Sequence, residues 1–214
     1  MSNKTVNHEK NFKKTQSQMD HLHFKFTESL KENIESIKKT IHYSSDIDVT
    51  QFELENQSGA IVFINSLIDR KVTQNFLDTI TASRHPLDES VKFSLKNYDM
   101  ENPERQAVSD LMYGYALIFL EGDQTAYSIM ARKPDGRTVA QPINEQVVRG
   151  SHEGLVESLE TNLFLVRKNL VSPDLTVKTT EVGKEAVRSV AIIYLDNIAD
   201  KELVRKIQRR IEDI

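Results

Sequence analysis

Residues 60–76 read AIVFINSLIDRKVTQNF and residues 191–207 read AIIYLDNIADKELVRKI, and the two align without a gap. Positions 60–64 face 191–195, Asn65 faces Asp196, Leu67 faces Ile198, Asp69 faces Asp200 and Phe76 faces Ile207. Each copy is an uncharged apolar run, then a polar corner, then an aspartate placed to cap a helix. There a carboxylate accepts free backbone N–H groups and suits the helix dipole. Turn signals precede both runs, QSG at 57–59 and VGKEAVRS at 182–189. Any two strand–helix corners share some features, but gap-free agreement over this length favours a repeated strand–turn–strand–helix unit. The fold expected is α+β: two subdomains, each a small mixed sheet packed with helices, related by that repeat.

Outward from the repeat, Phe26, Leu30, Ile34, Ile37 and Ile41 recur at helical spacing, and SSD at 44–46 breaks the pattern. DVTQFEL at 48–54 alternates like a half-buried strand. ENPERQAVSDLMYG fits a short helix with Pro103 in its first turn and Gly114 beyond its end. YALIFLEGDQTAYSIMARK at 115–133 reads as a hairpin around Glu-Gly-Asp, and 175–195 as a longer one. Residues 1–25 form a polar, aperiodic and therefore disordered tail. Residues 26–84 make an N-terminal α/β subdomain, the polar 85–106 a partly helical linker, and 107–214 a larger C-terminal α/β subdomain.

Composition narrows the function. The chain has 214 residues, 38% apolar and 28% charged, with a formal net charge of −4, so it is globular and has no general pull toward nucleic acid. It has no cysteine, which excludes a disulfide framework, thiolate chemistry and cysteine-ligated zinc. His21 and His23 lie in the tail without a third ligand in an ordered frame, so no metal or other cofactor is expected. No secretory signal is visible, and the longest apolar runs fall far below the ~18 residues of a spanning helix. The chain stops at Ile214 on a helical pattern without glycine or proline, which points to a piece of a longer protein.

The remaining feature is VVRGSHEGLVESLETNLFLVRKNLVSPDL at 147–175. Leu155, Leu159, Leu163, Val166 and Leu170 make one apolar stripe, with Ser151 placed to cap the helix. Glu153, Glu157 and Glu160 share the opposite side with Arg167. A pair of these glutamates as general acid and base, as in glycoside hydrolysis, fails because solvated carboxylates on an outer face have nothing to push their pKa values apart. No nucleophile elbow, Walker A loop or His-Glu-x-x-His is present, so an enzyme is not expected. The polar loop from Arg137 to Glu157 suits a small ligand or a partner protein.

Glu145-x-Val-Val-Arg-Gly-x-x-Glu-Gly-x-Val-Glu-Ser-Leu-x-Thr-Asn (145–162), followed by Leu-Val-Arg-Lys (165–168), resembles the hallmark of the GerA family, the A subunits of nutrient germinant receptors of spore-forming bacteria. The resemblance takes in Asn33-Ile34 and Ser45-Asp46 upstream, and Val182-Gly183, the Ala-Ile-Ile-Tyr run and Ile198-Ala199-Asp200 downstream. It implies the N-terminal soluble domain of a membrane protein, with transmembrane helices after Ile214. It further implies work with B and C subunits in the inner spore membrane, this domain on the cytosolic side, and a response to amino acids, sugars or nucleosides. Ser151 and His152 replace the proline and arginine usual after Arg-Gly, which removes a fixed charge at neutral pH. The residues expected to meet a ligand or another subunit are Arg137, Glu145, Arg149, Gly150, Glu153, Gly154, Glu157 and Asn162. Two functions remain: a coupling module latched by Arg149, Glu153 and Glu157, or a nutrient site in the cleft between subdomains, with Arg149 or Arg137 meeting the ligand.

Overall fold

The computed structural model describes residues 24–83, 95–98, 102–134 and 154–213. Helix α1 spans Leu30–Thr40 and starts on Ser29, whose hydroxyl accepts from the Glu32 N–H. Its buried residues Leu30, Ile34 and Ile37, with Ile41, follow the apolar spacing seen in the sequence. Strands β1 (Ile47–Leu54) and β2 (Gln57–Ile64) form an antiparallel hairpin in which Leu54 pairs with Gln57. The turn is therefore Glu55-Asn56, and the expected turn Gln57-Ser58-Gly59 lies inside β2. Gly59 is there for space. The Phe52 ring lies over it, and a Cβ would sit 2.3 Å from Phe52 Cζ. Helix α2 (Arg70–Ser83) follows, with Asp69 Oδ1 accepting from the Lys71 N–H as the sequence predicts.

The first sheet has the order β1-β2-β4-β5-β3, every neighbouring pair antiparallel. Here β3 is Lys96–Asn97, β4 is Tyr115–Leu120 and β5 is Tyr127–Met130. Helix α3 (Pro103–Met112) precedes β4, with Pro103 in its first turn, and Gly114 follows it at φ +86. The described parts of the expected linker, 95–98 and 102–106, thus lie within one structural unit. Because β4 pairs with β2 from Gly59 to Val62, β4 and β5 belong with the N-terminal strands and not with the C-terminal subdomain. Both sheets are antiparallel throughout, not mixed. The class, α+β, stands.

Strands β2 and β4 run as near-continuous apolar stretches because the sheet is covered on both faces. One face packs Ala60, Val62, Ile64, Leu117 and Phe119 against α1, α3 and Phe164. The other packs Ile61, Phe63, Ile118 and Leu120 with Ile80 of α2.

The C-terminal part repeats the N-terminal one more completely than the aligned stretches foretell. Helix α4 (Leu159–Asn169), strands β6 (Leu175–Val182) and β7 (Arg188–Leu195) and helix α5 (Lys201–Glu212) follow the order α1, β1, β2, α2. The small hydrogen bonds repeat too. Ser158 caps α4 as Ser29 caps α1. Asn33 clamps the Thr27 backbone through its N–H and C=O at 2.9 and 2.8 Å; Asn162 clamps Val156 in the same way at 2.7 and 2.7 Å. Asn65 N–H donates to Asp46 O, and Asp196 N–H to Asp174 O, both at 2.8 Å. Asp200 caps α5 through the Glu202 and Leu203 N–H groups. The repeat is a whole helix–hairpin–helix unit, occurring twice.

Candidate functional site

The start of α4 departs from expectation. The helix begins at Leu159 with Ser158 as its cap, so Ser151 is not its cap, and Leu155 is 75% exposed. The buried positions are Leu163, Phe164, Leu165 and Arg167, which rotates the core face away from the Leu155–Leu170 stripe and brings Arg167 inward. Arg167, expected on the solvated side with the glutamates, is 2% exposed.

Arg167 is the centre of the site. Its Nε donates to Asp46 Oδ2 at 2.6 Å and its Nη2 to Asp46 Oδ1 at 2.7 Å, a bidentate fork on a carboxylate that is itself buried. Nη2 also reaches Ser44 Oγ at 3.0 Å. The hydroxyls of Ser44 and Ser66 donate to the same carboxylate at 2.7 and 3.0 Å. Burial alone pushes the Asp46 carboxyl up, but the Arg167 hydrogen bonds and charge, with Ser44 and Ser66, more than offset it and hold it below its ordinary value. Four segments meet here: the loop before β1, the corner after β2, helix α4, and β6, whose Val177 N–H donates to Ser44 Oγ at 2.8 Å. Ser45 N–H donates to Val177 O at 2.7 Å, and Thr179 N–H to Ser45 Oγ at 3.2 Å.

A second contact answers the first. Asp174 holds in the second repeat the place of Asp46 in the first, and it meets His42 of the first repeat, with Nε2 3.1 Å from Asp174 Oδ1. The other ring nitrogen, Nδ1, lies 3.0 Å from Asp196 Oδ2. Both contacts are hydrogen bonds at once only in the doubly protonated ring, since neutral imidazole carries one N–H. Asn197 Nδ2 supports Asp174 at 2.9 Å, and Lys201 pairs with Asp196. His42 and Tyr43 sit at φ +54 and +50, closing α1 through Tyr43 N–H to Lys38 O and His42 N–H to Lys39 O. Left-handed backbone in two successive non-glycine residues is costly and is held here by the side chain it aims across the junction. Each repeat therefore offers an aspartate to a basic side chain of the other: Asp46 to Arg167, Asp174 to His42.

Of the residues expected to make contacts, Arg137, Glu145, Arg149, Gly150 and Glu153 lie outside the described residues. Gly154 is exposed, with nothing within 4 Å of a Cβ placed on it, and Glu157 is exposed. Asn162 is spent on the Val156 backbone and does not face a cleft. Glu160 pairs with Lys133. The structure does not bring Gly154, Glu157 and Asn162 together into a pocket. A separate concave surface of about 530 Å³ lies between α1 and the β1–β2 hairpin, lined by Leu30, Ile34, Lys31, Lys38, Gln51 and Glu53 among others. Among the described residues no group of three His, Asp or Glu side chains is placed to hold a metal. Nor is any helix among them long and apolar enough to cross a membrane.

Comparison with known families decides the identity. Residues 35–214 match the family model described as Bacillus/Clostridium GerA spore germination protein. The chain belongs to the GerA family. Among GerA relatives, spore germination protein KA of Bacillus subtilis (strain 168) is 26% identical over 197 residues, covering 87% of this chain and 36% of the relative. Spore germination protein GerIA of Bacillus cereus is 29% identical over 199 residues, covering 89% of this chain and 28% of the relative. The chain therefore spans about a third of these relatives' length. The N-terminal domain of the A subunit of the Bacillus megaterium spore germinant receptor GerK3 superposes with a TM-score of 0.66 at 23% identity, over 89% of this chain and 74% of that domain. The fold of this GerA chain is the fold of that domain.

Proposed function

We propose that this chain is the N-terminal part of a nutrient germinant receptor A subunit and acts in spore germination as a coupling module. It passes the state of the nutrient-sensing machinery to the membrane-embedded part. The supporting observation is the buried Arg167–Asp46 fork across the junction of the two repeats, answered by His42 and Asp174. A pair of this kind is strongly directional, so a shift at the junction that spoils its geometry leaves buried charge unpaired and is costly. The assembly is with B and C subunits at the inner spore membrane, this domain facing the cytosol. The segment carrying Arg137, Glu145, Arg149, Gly150 and Glu153, running on to the exposed Gly154 and Glu157, is offered to another subunit. Spores carrying Arg167→Lys test the reading. Lysine keeps the charge but loses the planar fork. Normal receptor levels by immunoblot with germination slowed about tenfold are expected, the order of a typical coupling free energy. Wild-type germination at normal receptor levels would sink the coupling role.

A second reading, a nutrient site, has the concave surface beside α1 in its favour, since Lys31 and Lys38 of the helix line it together with Glu53 and Glu121 from the sheet side, a pattern that suits a zwitterion. An amide NMR titration with amino acids, sugars and nucleosides separates the two. Saturable shifts at these residues support the site, and flat spectra at millimolar ligand remove it.

A further inference from the structure

In the first repeat β2 is an interior strand, paired with β1 along one edge and β4 along the other. The corner after it is covered as well: Asp69 N–H donates to Ala131 O, Lys133 N–H donates to Leu67 O, and Ile68 bridges Arg132. The second repeat has the same strand, corner and capped helix, but its sheet is β6-β7 alone, so among the described residues β7 has no neighbour on its outer edge. Exposure follows. Leu67 is 3% exposed and its counterpart Ile198 is 76%. Ile61 and Phe63 are buried, while their counterparts Ile192 and Tyr194 are half-buried. Val72 and Phe76 pack on the first repeat's core, whereas Leu203 and Ile207 in α5 are 54% and 39% exposed, and α5 buries no residue at all. The apolar side chains that would meet a covering layer are present; among the described residues the layer is not.

We propose that the outer edge of β7, with the corner at 198–200, is the docking site of a β-hairpin of the β4–β5 kind, and that the same polypeptide supplies it from residues that follow α5 in the full-length protein. The first repeat gives the template. There the covering hairpin comes after the unit's last helix, runs antiparallel to the interior strand, and carries no charge between Tyr115 and Leu120. The occupant of the second repeat must match this. Positions 190–195 are uncharged and the facing side of α5 is apolar, so a charged residue pointing into the seam would be buried without a partner. Strand addition of this type gains main-chain hydrogen bonds along the edge and apolar contacts on both faces. The relatives are about two and a half to three times as long as this chain, enough polypeptide to supply such a hairpin.

Hydrogen–deuterium exchange on the full-length protein in detergent tests the proposal. In the peptide covering 188–195, every amide should be protected, together with a hairpin C-terminal to α5; an open edge would protect only the alternate amides facing β6. Leu203→Glu alters a side chain exposed without the hairpin. It should speed exchange on the outer edge by tenfold or more, on the order of one lost local-opening barrier, and leave the β1–β2 hairpin unchanged. Fast exchange of the outward amides in the full-length protein overturns the proposal. So does protection that Leu203→Glu leaves intact, or protection that disappears on dilution or on stripping the other receptor subunits, which would put the covering strand in another chain.

Discussion

At Arg167 the local pattern of the sequence and the demands of the fold disagree. An arginine between Val166 and Lys168 reads as a solvated position, yet it is buried because one carboxylate and one hydroxyl on the other repeat take its donors. Removing one partner leaves the other charge buried and unpaired. Arg167→Met should therefore cost about 3–5 kcal/mol in urea unfolding, and Asp46→Leu combined with Arg167→Met should recover most of that loss. Acid should act through the same carboxylate. Asp46 titrates below its unfolded value of about 3.9, so its contribution is complete above that pH and drains away as pH falls through the folded value. Stability of the natural chain should then drop more steeply below pH ~4 than that of Asp46→Asn, read by chemical unfolding at a series of pH values.

Among the elements, the hairpins and short helices were legible because their signals are local. The alternation of β1, the Glu-Gly-Asp turn with Gly122 at φ +80, and Pro103 at the start of α3 need no knowledge of the rest of the chain. Gly59 was misread because its reason is not local: it sits in mid-strand under Phe52, and a glycine after Gln-Ser looks like a turn. Gly59→Ala should cost about 1–3 kcal/mol by overpacking, and Phe52→Leu in the same chain should lessen that cost, a coupling that a double-mutant cycle measures. The α4 stripe failed for a related reason. Five leucines and valines at helical spacing ran from Leu155 to Leu170, but the helix starts only at Leu159, and the residues it must bury are those facing the first repeat. The junction itself carried a faint signal: Ser-Ser-Asp at 44–46 recurs as Ser-Pro-Asp at 172–174, and Ser-Leu-x-x-Asn at 29–33 as the same string at 158–162. The GerA resemblance passed through Asn33, Asp46 and Arg167 without giving them a part to play.

For the whole molecule, the two repeats are unequal. The first, with β3, β4, β5 and α3, owns nearly all the fully buried side chains; the second rests on it through α4, β6 and the exchanged aspartates. Residues 154–213 alone should accordingly fail to fold, with a random-coil amide spectrum, because a unit of this size whose last helix buries nothing cannot offset its conformational entropy. The division expected near residue 106 was out of reach for sequence reasoning, since nothing in β4 announces that its partner is β2 rather than its own half of the chain. There is also a consequence for anyone who handles these 214 residues in isolation. Val-Ala-Ile-Ile-Tyr-Leu at 190–195 is an uncharged, β-branched segment on a strand edge that has no neighbour among the described residues, which is the make-up of a nucleus for intermolecular cross-β stacking. Losses on concentration or storage should begin at that strand, and solubility will depend less on net charge than on whether its edge is occupied.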